Sequence, residues 1–411
     1  MIIKIIITIS NILQTFFDQF LNHLDSSQAD RPLPDNIKDV YDEDEYRKWR
    51  TYNKERGKIS LIEAIVEVVI STGLLAFNVY AVIFKFLGNM NMYIQYLIFI
   101  AGMSLVTAII SIPFSHHRTF VIEEKYGMNK STKKTFVLDV IKGFMIDVVV
   151  SYALMAAIMF FFEKFGNAGM IGVIIALIVI MLVINIIVVP LMRVFNKFEP
   201  LPDGELKDKL GELCGKYNVQ IKKIVVKDAS RRTTKANAFC TGLRKKTISL
   251  DDNLVNNYTP DQIVAVFAHE FAHAKYHHML KTLPFSIGRM VLVVAMLTLV
   301  LNIQPLFTSF GFEGTNYFFA NMLLSIISWP LSKGVDIVFN ILSRKHEYEA
   351  DSFAASEGYG EGLISSLKQL NKDALSDINP HPLVVKLEYS HPTLSQRIDN
   401  IYAHSGDKQN G

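Results

Sequence analysis

The chain holds 411 residues, half of them hydrophobic and a fifth charged, with a formal net charge of +3. So small a positive excess, with no basic stripe interleaved with aromatics, excludes nucleic acid as a partner. The apolar residues fall in long blocks rather than in a periodic scatter, which excludes an ordinary soluble domain and makes this a multi-pass membrane protein.

In chain order, residues 2–21 are apolar but interrupted by Asn11, Gln14, Asp18 and Gln19, and are expected as a first, weaker span. A signal peptide is the competing reading, disfavoured because the apolar run grades into an amphipathic tail without a small-residue cleavage site. Residues 39–58 read as a solvated charged helix, with Glu43 and Asp44 four residues before Arg47 and Lys48, at pairing distance. Spans follow at 61–86, 93–113, 137–162, 168–194, 283–305 and 319–341, each near the ~20 residues that cross a hydrocarbon core.

Counting residues 2–21, seven spans put 23–58, 114–136, 195–282 and 342–411 on one side. That side carries Arg47, Lys48, Arg50, Lys54, Arg56, Lys125, Lys130, Lys133 and Lys134, whereas the short opposite connections hold only Lys164. The positive-inside rule makes the charged side cytoplasmic. Cys214 and Cys240 fall there, match no metal spacing, and read as reduced thiols. Ionisable residues inside spans are costly in lipid. Glu63, Glu67 and Arg289 lie where a side chain can snorkel, but Asp147 and a Lys333/Asp336 pair are expected to face a hydrated interior between helices.

Residues 220–227, 237–242 and 247–250 read as strands. After them, Thr259-Pro260-Asp261-Gln262 supplies a capping hydroxyl, a proline at the first helical position, an acid near the positive end of the dipole and a glutamine three residues after the cap. The helix begun there contains His269-Glu270-Phe271-Ala272-His273. Residues four apart on a helix share a face, so both imidazoles can converge on one zinc ion while Glu270 reaches a water beside it. Small Ala268 and Ala272 admit a neighbouring element near the ion. The bland alternative is two solvated histidines on an amphipathic helix. His277 and His278 read as surface residues or as partners of the ligands.

A catalytic zinc takes three protein ligands and one open position. Downstream, 343–351 continues the last span into the cytoplasm and ends near Gly358; Glu347 and Asp351 face one way and Glu349 another. The pair could supply a ligand and an imidazole partner, or the segment could be a charged juxtamembrane helix neutralising its own arginine and lysine. The tail after His404 reads as disordered.

Beside the two-histidine motif the chain carries Phe120-x-Ile122-Glu123-Glu124-Lys125-Tyr126-Gly127-x-Asn129-Lys130, Asn237-Ala238-Phe239-x-Thr241-Gly242-Leu243, Arg344-x-x-Glu347-Tyr348-x-Ala350-Asp351 and Ser390-His391-Pro392-x-Leu394-x-x-Arg397-Ile398. These five motifs in one order resemble the type I CAAX prenyl endopeptidases, integral-membrane zinc metallopeptidases with an interrupted catalytic domain. The chain departs from the family at Ala274, where an aromatic is usual, and at Thr233-Thr234-Lys235-Ala236, where a serine-rich approach is usual.

The resemblance implies one Zn2+ held by His269, His273 and Glu347, with Glu270 as proton acceptor and donor. Asp351 would fix a ligand imidazole or, alternatively, donate a proton; His391 and Arg397 would steady the oxyanion or substrate carbonyl. An extended peptide could add to the edge of the strand at Asn237, Ala238 and Phe239.

The expected architecture is mainly α, a polytopic protein of about seven transmembrane helices with a cytoplasmic zincin-like α+β metalloprotease domain. Residues 1–194 form the N-terminal transmembrane region, 195–282 the first catalytic portion, 283–341 the last two spans and 342–411 the second catalytic portion. Expected partners are the lipid bilayer and a peptide or protein substrate, with a prenylated C-terminal cysteine by resemblance. The setting is the plasma or endoplasmic reticulum membrane, with the active site on the cytoplasmic side. Broader cleavage of membrane proteins is the enzymatic alternative, and a seven-span transporter or receptor the non-enzymatic one.

Overall fold

The computed structural model describes residues 1–88, 90–217, 221–241 and 246–405. Among the described residues, sixteen α-helices and four strands alternate in two regions. The membrane region is built from α1 (Ile2–Ser26), α2 (Glu43–Ala76), α3 (Val79–Leu87), α4 (Met92–His117), α5 (Lys133–Phe165), α6 (Gly169–Met192), α10 (His278–Leu301), α11 (Gln304–Thr308) and α12 (Tyr317–Ile327). The other region holds β1 (Phe198–Pro200), α7 (Glu205–Lys216), β2 (Ile221–Lys227), β3 (Ala238–Thr241), β4 (Lys246–Asp251), α8 (Asp252–Asn257), α9 (Pro260–Lys275) and α14 (Gly360–Asp373). It is completed by α15 (Pro382–Glu388) and α16 (Leu394–Ser405), while α13 (Trp329–Ala354) joins the two regions.

Among the described residues, four helical stretches are long and apolar enough to cross a bilayer, one of which, 133–184, contains both α5 and α6. A fifth is the pair α12 and α13, bent by 61°. This corrects the expected straight span 319–341. Pro330 offers no N–H to carry the ladder through Ser328, so the chain restarts as a new helix there. The expected span 61–86 is likewise interrupted at Asn78, whose φ of 56° breaks α2 from α3.

The solvated reading of 39–58 is also corrected. From Glu43 onward that stretch is the first part of α2, continuous with the membrane helix, and although most of its charged residues are exposed, Trp49 and Tyr52 are buried in one core with Phe267, Phe271, Leu250 and Phe353. Asp42 and Glu45 form a reciprocal capping box, and Asp44 pairs with Arg47, three apart, on its exposed face.

The sheet runs β1-β2-β4-β3, with β2 and β4 parallel and the outer pairs antiparallel. The strands expected at 220–227 and 237–242 begin and end at residues outside the described ones; β1 was not anticipated. β3 is an edge strand, and the backbone leading to it is braced by the loop after α4. Lys130 donates to the Arg232 carbonyl, Thr234 to the Met128 carbonyl, and Arg232 grips Asp139 through two hydrogen bonds.

Helix α9 starts as expected, with Thr259 and Gln262 capping each other's backbone and Pro260 in the first turn. Helix α14 packs tightly over this start: a Cβ at Gly362 would lie 2.9 Å from the Asp261 carbonyl oxygen, and Ser366 donates to the Gln262 carbonyl.

The intramembrane ionisable groups find separate solutions. Asp147 accepts from Ser104 at 2.6 Å and Ser151 at 3.3 Å on the wall of a ≈ 630 Å³ cavity between α4, α5 and α12. Lys333 and Asp336 do not pair with each other, because residues three apart on α13 reach different neighbours. Lys333 binds Asp18 and Glu388, and Asp336 binds Arg289. Glu63 pairs with Arg118.

Trp49→Ala should lower stability by about 3–5 kcal/mol, the cost of emptying a buried aromatic site. A lower melting midpoint in detergent is the expected result, and an unchanged midpoint would place α2 outside the shared core.

Candidate metal centre and active site

Helix α9 presents His269 and His273 on one face, and α13, approaching from the membrane bend, presents Glu347. The two helices pack against each other, and Ala268 and Ala272 on α9 and Ala350 and Ala354 on α13 are fully buried in one core. His269 Nε2 lies 3.2 Å from His273 Nε2 and 3.5 Å from Glu347 Oε2, while His273 Nε2 lies 3.4 Å from Glu347 Oε1. A tetrahedral ion with bonds of about 2.0–2.1 Å spaces its ligands about 3.3 Å apart. With one Glu347 oxygen toward each ring, the three residues are spaced as the ligands of one such ion are.

Two further observations fit a cation. Glu347 Oε2 is buried and accepts no hydrogen bond, although His391 Nδ1 stands 2.9 Å away, out of line for one. With the imidazoles neutral, as ligands must be, and the three carboxylates Glu270, Glu347 and Asp351 ionised beside one guanidinium, Arg397, the cluster carries 3 − 1 = 2 negative charges, which a divalent ion would balance.

Asp351, fully buried, lies 2.9 Å from His269 Nδ1, which orients the ring and leaves Nε2 for the metal. Arg397, from α16, holds Asp351 through two hydrogen bonds of 2.9 and 2.7 Å. The same guanidinium lies 3.4 Å from His269 Nδ1 and 3.9 Å from Glu347 Oε2, between Asp351 and the cleft. Exposed His391 stands on the open side of Glu347.

Burial opposes charge on His269, but Asp351 and Glu347 outweigh it and push the ring up to about 9. Burial, with the neighbouring His269, takes His273 down to about 3. Glu347 stays well below the carboxylate range despite its burial, because of His269 and His391. Glu270 is the exception: burial pushes it up to about 7, with Glu347 adding to the rise and His269, Arg397 and the Cys240 amide opposing it.

All ten residues singled out in the sequence meet here except that Asp351 lies behind His269. Asn237, Ala238 and Phe239 line a ≈ 520 Å³ cleft with His269, Glu270, His273, Glu347, His391 and Arg397. Ladder alternation turns Ala238 and Cys240 away from β4, since Asn237 accepts from Asp251 across the pair. Their N–H groups are already engaged, Ala238 by the Asn237 side chain and Cys240 by Glu270. The outward carbonyls of Ala238 and Cys240 are the groups this edge offers to an extended peptide.

Of the two readings open for His278, surface residue or partner of a ligand, the geometry matches the second, and Glu349, expected to face away from Glu347, is the group His278 reaches. His278 is buried, with Nδ1 2.9 Å from His273 Nδ1 and Nε2 3.0 Å from Glu349 Oε2. Helical spacing could not decide this, because His277 at φ 54° ends α9 and redirects the chain.

A membrane-embedded helical body carrying two helix-borne imidazoles, a third carboxylate ligand and a free carboxylate beside an edge strand defines an integral-membrane metalloendopeptidase. Residues 23–197 match the model of the CAAX prenyl protease N-terminal region, described as five membrane helices, and residues 200–405 match peptidase family M48. The chain belongs to the CAAX prenyl protease 1 group of family M48. It is 31% identical to a CAAX prenyl protease 1 homolog of Oryza sativa subsp. japonica over 97% of each chain. Identity to the CAAX prenyl protease 1 of Saccharomyces cerevisiae is 29%, over 99% of this chain and 97% of that protein. The crystal structure of S. mikatae Ste24p superposes with a TM-score of 0.91 at 28% identity, covering 97% of this chain and 99% of that one.

Arg397→Leu should destabilise the protein by about 3–5 kcal/mol, because it leaves Asp351 buried without its counter-charge. Thermal denaturation of the purified variant measures this, and a shift near zero would show that Asp351 does not depend on Arg397.

Proposed function

We propose that this chain is a zinc endopeptidase that removes the C-terminal tripeptide of prenylated CAAX proteins on the cytoplasmic side of its membrane. The observation that carries it is the 3.2–3.5 Å triangle of His269, His273 and Glu347, the two-imidazole, one-carboxylate donor set of catalytic zinc. The substrate comes from the relatives, which are CAAX prenyl proteases by name along nearly their whole length. The cytoplasmic side follows from the basic loops at 23–58 and 114–136. In this reading 195–282 and 342–411 are the two catalytic portions, inserted between and after the membrane spans 1–194 and 283–341.

Zinc bound there supplies a Lewis acid for the scissile carbonyl and lowers the pKa of water. Glu270 takes a proton from the attacking water and gives it to the leaving amine. Its low-dielectric setting suits both halves of that duty, since a carboxyl near 7 both accepts and returns a proton at neutral pH. Asn237, Ala238 and Phe239 hold the peptide in extended form along β3, while His391 faces the carbonyl oxygen from the exposed side. Asp351 and Arg397 act through His269, as positioning residues.

Glu270→Ala should retain zinc and lose hydrolysis, whereas His269→Ala and Glu347→Ala should lose both; metal analysis beside a peptidase assay separates these outcomes. Hydrolysis persisting in Glu270→Ala would remove that residue from the mechanism. The acid limb of kcat/KM should fall as pH drops through about 7 or below, because Glu270 works as the carboxylate and a bound cation can only lower its pKa. A flat profile from pH 8 to pH 5 would contradict this. A farnesylated CAAX peptide should lose three residues while its unprenylated twin stays intact, and equal cleavage of the two would point instead to a general membrane-protein peptidase.

A further inference from the structure

The two histidines of the metal triangle are backed differently. His269 has Asp351 directly behind it, a carboxylate that only accepts and therefore places the ring hydrogen on Nδ1. His273 has no carboxylate behind it. Its Nδ1 faces another Nδ1, that of His278, at 2.9 Å, and two ring nitrogens at that distance share one hydrogen, whose owner decides whether His273 can be a ligand.

Glu349 settles the ownership. It sits on α13, where Lys281 approaches it at 3.5 Å and Lys345 at 4.0 Å, both favouring its ionised form. An ionised carboxylate cannot donate, so the 3.0 Å contact is a hydrogen bond from His278 Nε2. The neutral His278 ring then has a bare Nδ1, which accepts from Nδ1 of His273 and leaves Nε2 of His273 with a lone pair facing His269 and Glu347. The intermediate ring is held in place: it is 4% exposed and stacks on His346 with centroids 4.2 Å apart and planes 6° from parallel.

We propose that Glu349 and His278 are positioning residues that fix the tautomer of His273 by relay, as Asp351 fixes that of His269 directly. This rests on the reading of His273 as a metal ligand. Such outer partners are conservatively worth 10- to 100-fold in metal affinity. Without the relay His273 is free to carry its hydrogen on Nε2, where it would point into the metal position.

The test is zinc affinity of the purified full-length chain, measured by competition with a chelating indicator and therefore independent of turnover. His278→Leu should weaken zinc binding roughly 10- to 100-fold. His278→Asn, whose Oδ1 stands where Nδ1 stood and accepts only, should restore affinity to within a few-fold of the parent. Glu349→Ala, on a part-exposed residue that does not threaten folding, should also weaken binding, and Glu349→Gln, whose carbonyl can still accept from Nε2, should recover it. Parental affinity in both His278→Leu and Glu349→Ala would overturn the relay, as would equal losses in His278→Asn and His278→Leu, which would make packing rather than hydrogen-bond direction the cause. His273→Ala guards the foundation: if it keeps zinc, the ligand assignment itself fails, whereas if it loses zinc while the relay variants do not, only the relay fails.

Discussion

The structure depends on the crossing of α9 and α13, which brings Glu347 within 3.5 Å of imidazoles more than seventy residues earlier in the chain. Helices pack closely where their side chains are small, and the alanines at 268, 272, 350 and 354 are fully buried in the core these two share. The surrounding core is large and aromatic, with Phe267, Phe271 and Phe353 packed beside Tyr217. Rigidity there matters because metal ligands must stay within fractions of an ångström of their working places. The energy of that rigidity is drawn from burial in the core, not from the charged cluster, since isolated buried charges oppose folding.

That opposition is managed by nesting. Each buried charge in the centre has an opposite charge or a hydrogen-bond partner behind it: Arg397 behind Asp351, Asp351 behind His269, Lys281 behind Glu349 and Glu349 behind His278. The sequence of partners alternates in sign and runs outward toward solvent, so no charge is left to the low dielectric alone. Glu347 is the point where the pattern stops short, and its unsatisfied Oε2 lies 3.5 Å from His269 Nε2. The chain therefore stores its one electrostatic deficit at the position where a cation has most to offer.

Features carried by local chemistry were legible in the sequence. The Thr259–Gln262 capping box, the helical spacing of His269 and His273, and the shared face of Glu347 and Asp351 all follow from 3.6-residue periodicity and end-capping. What lay beyond reach were the places where the chain changes direction. Hydropathy reads Ser328 and Asn78 as mid-span residues because it averages over windows and does not register a missing N–H or a left-handed φ. The same holds for His278, placed by the turn at His277, and for Trp49 and Tyr52, whose charged neighbours masked a buried face. Lys333 and Asp336 looked paired because they are close in sequence, but their partners come from α1, α10 and the α15 segment, contacts set only by tertiary packing.

Those partners show why the catalytic and membrane regions form one mechanical unit. Helix α10 opens with His278 and then enters the membrane, and α13 leaves the membrane bend and ends beside the metal triangle with Glu347, Glu349 and Asp351. Arg289 and Asp336 join these helices at 2.9 Å, a little over three helical turns below His278 and Glu349 on the same two elements. Lys333 pins α13 to α1 through Asp18 and to α15 through Glu388. A shift of α10 against α13 anywhere along this length would separate His278 from Glu349 before it disturbed the sheet. The spacing of the metal ligands is thus set partly by ion pairs near the membrane, and an excised soluble portion would lack the contacts that align its own active site.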